Sequence, residues 1–119
     1  MSRWELETFR ARQRPVVLVI GCDADLAARC HSAAALLGAV VRESEHIGAA
    51  VTIATQSAPL AIVIPESLCE RYPDEFRVLA TEVKATLVKL PGPDISQLDL
   101  EKLLYDAVAN ATKDRGTEK

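Results

Sequence analysis

Two short runs of unbroken aliphatic side chains stand out along the chain, Val16-Val17-Leu18-Val19-Ile20 and Leu60-Ala61-Ile62-Val63-Ile64. A strand with one face in water alternates apolar and polar residues, whereas a continuous apolar run marks a strand covered on both faces, as in a parallel sheet. The first run stops at Gly21 and the second at Pro65. Ala39-Val40-Val41-Arg42-Glu43 and Ala85-Thr86-Leu87-Val88-Lys89-Leu90 read as two further strands, the latter closed by Pro91-Gly92-Pro93.

Between these runs the spacing becomes helical. Leu26, Ala27, Cys30, Ala33, Ala34 and Leu37 follow the i, i+3, i+4, i+7 pattern. Asp23-Ala24-Asp25 supplies carboxylates suited to the N-terminus of that helix, and Gly38 fits the position just past its end. Ser44 or Glu45 opens a second helix, with Ile47, Ala50, Val51 and Ala54 on one face. Residues 67–72 fit one or two helical turns. Pro73-Asp74-Glu75 then starts a helix that buries Phe76, Leu79, Ala80 and Val83. A strand over residues 76–80 is the alternative and would make the sheet five-stranded. Ser96 caps a final helix reaching about residue 112, with Leu100, Leu103, Leu104, Ala107 and Val108 inward.

Strand and helix thus alternate, which predicts an α/β, doubly wound three-layer sandwich around a parallel sheet of four strands in the order 2-1-3-4. Residues 1–14 form a basic helical arm, residues 15–112 the α/β domain, and residues 113–119 a disordered tail. Ser2-Arg3-Trp4-Glu5 fits a capping box and gives the arm a helix from about residue 3 to 12.

Composition narrows the class. The chain of 119 residues is 49% hydrophobic and 26% charged, as expected of a globular domain. Eighteen alanines and only 4% aromatics dictate an aliphatic core and disfavour stacking recognition of single-stranded nucleic acid. A net charge of −3 also lacks the basic footprint of a nucleic-acid binder. The arm is the exception, since Arg3, Arg10, Arg12 and Arg14 there face only Glu5 and Glu7. With Trp4 and Phe9 it either packs on the domain or offers its aromatics to a partner. Cys22, Cys30 and Cys69 are an odd number without framework spacing, and no signal peptide is legible, so a reducing cytoplasm is expected. No apolar run approaches the length of a membrane span.

Three segments carry a resemblance to the receiver domain of bacterial response regulators. Val17-Leu18-Val19-Ile20-Gly21-Cys22-Asp23-Ala24-Asp25-Leu26 resembles its first strand and acidic loop. Ala58-Pro59-Leu60-Ala61-Ile62-Val63-Ile64-Pro65 resembles its third strand. Leu87-Val88-Lys89-Leu90-Pro91 resembles its last, where a lysine is closely followed by proline. The resemblance spans roughly residues 15–112 and implies a receiver/flavodoxin-like fold, about one strand–helix unit short between the third strand and Lys89.

It also implies an acidic pair for Mg²⁺ after the first strand and a phosphoacceptor Asp at the end of the third, because Mg²⁺ demands octahedral oxygen ligands. Gly21 and Cys22 stand at the pair's positions, leaving Asp23 as a vestigial acid. Ile64 or Pro65 stands where the phosphoacceptor belongs, and Glu66 is the nearest carboxylate. Lys89 fits the family's phosphate-sensing lysine. The implied protein is a pseudo-receiver: a non-catalytic regulatory module, unable to be phosphorylated on Asp, without metal or cofactor. It would bind another signalling protein or itself, as a homodimer, and neither nucleic acid nor membrane. By the same resemblance, Leu98, Leu103, Tyr105 and Val108 on the last helix form the interaction face, with Trp4 and Phe9 as a second patch.

A second resemblance, to lactose- and cellobiose-type IIB phosphocarriers, rests on size, four parallel strands and a cysteine at the end of the first, where Cys22 stands. It implies the alternative of a Cys22-centred phosphocarrier or thiol enzyme. Asp23 and Asp25 oppose that chemistry, because nearby carboxylates raise a thiol's pKa and repel phosphate. A third alternative is a small-ligand sensor at the switch point between the first and third strands. His31 and His46 lack metal-ligand spacing, and the sequence has no G-x-G-x-x-G, Walker-type loop or G-x-S-x-G elbow.

Overall fold

The computed structural model describes residues 15–92 and 94–116, with side chains to residue 110. The predicted arm, with Trp4 and Phe9, lies outside the described residues. Four parallel strands, β1 (Val16–Ile20), β2 (Val40–Ser44), β3 (Ala61–Pro65) and β4 (Thr86–Leu90), pair in the order β2-β1-β3-β4. Helices α1 (Ala24–Leu36) and α5 (Gln97–Gly116) cover one face. Helices α2 (Ile47–Ser57), α3 (Glu66–Arg71) and α4 (Pro73–Val83) cover the other. The doubly wound architecture and strand order are as the hydrophobic runs predict.

The two apolar runs become the central strands because only there are both faces covered. Val17 and Val19 point into one core, with Leu26, Cys30, Ala33, Leu100 and Leu104. Leu18 and Ile20 point into the other, with Ala50, Ala54, Phe76, Leu79 and Ala80. Edge strand β2 keeps Arg42 and Glu43 exposed. Among the described residues no polar or charged side chain is buried, so both cores are held by aliphatic contact and alanine-mediated close approach.

Helix α1 ends as its sequence demands. Gly38 adopts φ +71°, its N–H donates to Ala35 O, and the Ala39 N–H donates to Ala34 O at 2.9 Å. This pair of bonds is a Schellman motif, which needs a left-handed residue at that position. Helices α2 and α4 end on left-handed residues too, but these are Ala58 (φ +47°) and Lys84 (φ +58°).

Three expectations are corrected. Ser44 and Glu45 do not open α2: Ser44 belongs to β2, where it pairs with Ile20, and its hydroxyl donates to His46 O. His46 is the cap instead, its Nδ1 accepting from the Ala49 N–H at 3.3 Å. The five-stranded alternative fails, because residues 76–80 lie inside α4, which begins at Pro73 and buries Phe76 completely. The last helix does not stop near residue 112 but continues to Gly116, through part of the predicted tail.

Candidate functional site

In an open parallel sheet the strand order reverses at one point, and the crevice beyond the strands' carboxyl ends there is the usual place for chemistry. Here the reversal falls between β1 and β3, so the loop Gly21-Cys22-Asp23 faces the end of β3 at Pro65 and the start of α3 at Glu66.

Gly21 turns left-handed (φ +68°), and its N–H donates to Ser44 O at 2.8 Å. A Cβ at this position would stand 2.5 Å from Leu68 Cδ2. A side chain is therefore disfavoured here by the backbone, while the Leu68 methyl, the end of a flexible side chain, can give way. Asp23 caps α1, its Oδ1 accepting from the Leu26 N–H at 2.8 Å. The carboxylate is thereby engaged with its own helix, as the capping reading of Asp23-Ala24-Asp25 expects.

Cys22 is half-buried against the α1/α5 core, and its thiol lies 3.9 Å from Ile20 O. Burial pushes the thiol up to about 12, with Cys30, Asp23 and Glu43 adding to the rise. A nucleophilic cysteine needs the opposite environment, one that stabilises thiolate. The contribution of Glu43, on neighbouring β2, was not legible from the Cys22 loop itself, because it depends on strand pairing. Glu43 also receives His31, whose Nε2 lies 2.8 Å from its Oε2, on the surface. No group of three or more His, Cys, Asp and Glu suited to a metal occurs among the described residues.

Glu66 and Lys89 do come together. Ile64 pairs with Lys89 and Pro65 with Leu90, and Glu66 and Lys89 line one depression of about 350 Å³ with Cys69, Glu70 and Pro73. Asp23 is not among its lining residues. The neighbourhood follows from strand order, since β4 lies directly beside β3. Glu70 was missed by sequence reading because α3 is too short for a face to show in its spacing.

The predicted interaction residues on α5 divide. Leu98 and Tyr105 are 61% and 59% exposed. Leu103 and Val108 are half-buried and pack against the α1/α5 core, consistent with their inward spacing and not with an outer patch.

No family model matches the chain, and no curated protein matches it in sequence. Solved structures do resemble it. The signal receiver domain of a putative Luxo repressor protein from Vibrio parahaemolyticus superposes with a TM-score of 0.60 at 14% identity, covering 89% of this chain and 98% of that one. The signal receiver domain of an HD domain-containing protein from Pseudomonas fluorescens gives a TM-score of 0.57 at 11% identity, covering 87% and 93%. The fold is that of receiver domains, as the three sequence segments imply. At such identity the likeness concerns the backbone alone.

Proposed function

We propose that the protein is a receiver-like regulatory module that signals by binding another protein, or a second copy of itself, and not by aspartyl phosphorylation. What supports the reading is a receiver fold whose switch-point crevice has Gly21 and Cys22 after β1 and Ile64 or Pro65 at the end of β3, where the sequence resemblance calls for carboxylates. Neither isoleucine nor proline has a side-chain oxygen to phosphorylate, and glycine has none to hold Mg²⁺. The capped carboxylate of Asp23 is a poor substitute. Exposed Leu98 and Tyr105 supply an outer face of α5 for a protein partner. In this reading the chain works in the cytoplasm, with neither nucleic acid nor membrane as partner. Among the described residues no helix is long and apolar enough to cross a membrane.

The experiment is incubation with acetyl phosphate and Mg²⁺, followed by intact-mass measurement. The expected outcome is no phosphate adduct on the unmutated chain or on the Asp23→Asn and Glu66→Gln variants. A phosphate adduct removed by either substitution defeats the proposal. The phosphocarrier alternative is tested by Cys22→Ala, which leaves regulatory activity in cells unchanged in our reading and abolishes it in the other.

A further inference from the structure

Between α2 and α4 the surface opens into a groove of about 470 Å³. Its floor is apolar, built by Ile47 and Val51 on α2 with Val78 and Leu79 on α4. Val51 and Val78 are 45% and 50% exposed, although each stands on the side of its helix nearest the other. The rim is acidic. Asp74 is paired with Arg77 at 2.9 Å, while among the described residues neither Glu75 nor Glu82 has an ion-pair partner. An apolar trough with uncompensated acids calls for a segment that is both apolar and basic.

The sequence contains such a segment. Residues 1–14 carry Trp4 and Phe9, two of the chain's few aromatics, and Arg3, Arg10, Arg12 and Arg14 against two glutamates. Its exit point is also suitable. The Leu60 N–H donates to Val16 O and the Thr86 N–H to Leu60 O, so the start of β1 and the end of α4 share one edge of the sheet. Glu82 lies four residues before Thr86, at the end of the groove nearest that edge. Crossing two strand spacings takes roughly 10 Å. Fourteen residues cover about 20 Å even as a helix.

We propose that this groove is the docking site of the chain's own N-terminal arm, with Trp4 on the floor and the arginines against Glu75 and Glu82. The contact is intramolecular and independent of the partner face on α5. Because the arm is tethered, its effective concentration is high and modest complementarity suffices.

Trp4 is the only tryptophan of the chain, so its fluorescence reports the arm directly. In the full chain its emission should be blue-shifted, and shielded from acrylamide, relative to a peptide of residues 1–14 in water. Val78→Asp should move the emission to the position of the free peptide. So should the double substitution Glu75→Lys with Glu82→Lys, which touches only exposed positions and leaves the far-ultraviolet circular dichroism intact. Asp106→Lys, on the opposite face, should leave it unmoved. The proposal is overturned by an unmutated chain that already emits like the peptide, or by a blue-shifted emission that no groove substitution moves. A blue shift that grows with protein concentration gives the groove to the arm of a second copy and likewise overturns the intramolecular contact.

Discussion

The two faces of the sheet are built from the same kinds of residue, yet they are finished differently. On one, α1 and α5 lie in contact and are tied to each other. Arg29 Nε donates to Gln97 Oε1 at 3.1 Å, Gln97 Nε2 donates back to Arg29 O at 3.2 Å, and the Arg29 guanidinium also reaches Ile95 O. On the other face, α2 and α4 stand far enough apart to leave the acidic groove. Helix α1 closes on a glycine in the left-handed region, while α2 and α4 close on alanine and lysine there. The closed face is thus relaxed and interlocked; the open face carries local strain and unused surface. Proteins commonly keep their binding surfaces at the less stable end of the molecule. The groove of the open face fits that profile, whereas the closed face exposes apolar side chains on the outer side of α5, at Leu98 and Tyr105.

The sharpest way to break this comparison is a matched pair of core truncations. Leu104 on the closed face and Leu79 on the open face are both buried leucines. Leu→Ala costs about 2–5 kcal/mol, and more where the surroundings cannot collapse. Leu104→Ala should therefore fall near the top of that range and Leu79→Ala, which lines the groove, near the bottom. Urea unfolding of both variants measures this. Equal losses would erase the distinction between the faces.

Alkaline titration probes the two thiols of the closed face. Cys22 is pushed up to about 12 and Cys30 to about 11, each chiefly by burial, from an ordinary value of 9.0. Because the folded values exceed the unfolded one, the protonated thiols stabilise the fold fully below pH 9. That contribution is lost as pH rises from there toward the folded values. Melting temperature should fall over this window, and the fall should be shallower in a Cys22→Ala, Cys30→Ala double variant. Parallel curves for the two proteins would show that other groups govern the alkaline limit.

The smallest effects come from the helix ends. Ala58→Gly and Lys84→Gly should each stabilise by about 0.5–1 kcal/mol, as left-handed strain is released and partly offset by glycine's entropy in the unfolded chain. Gly38→Ala should cost about 1 kcal/mol, although nothing lies within 4 Å of the added methyl, because the conformation alone resists it. Thermal melts of the three variants sharpen the contrast between relaxed and strained helix ends if the signs are opposite as stated.

Much of this was legible in the sequence for identifiable reasons. The central strands announced themselves because burial on both faces leaves no room for alternation. Gly38 and Pro73 marked helix boundaries because each has few other uses at such positions. Ala58 and Lys84 gave no signal, since nothing in an alanine or a lysine advertises a positive φ. His46 was hidden as a cap because Ser44 and Glu45 look more suitable until strand pairing claims Ser44. Among site residues, Asp23's capping role could be read from local spacing. The meeting of Glu66 and Lys89 required the strand order, and the groove required the separation of two helices, which depends on side chains from both.

Gly21 has a consequence for how this chain can evolve. Any side chain at this position would have to adopt a left-handed backbone, and its Cβ would have to push aside the Leu68 methyl. The same backbone cost meets every L residue at position 21, so this point of the loop is closed to single substitutions that its neighbours can accept more cheaply.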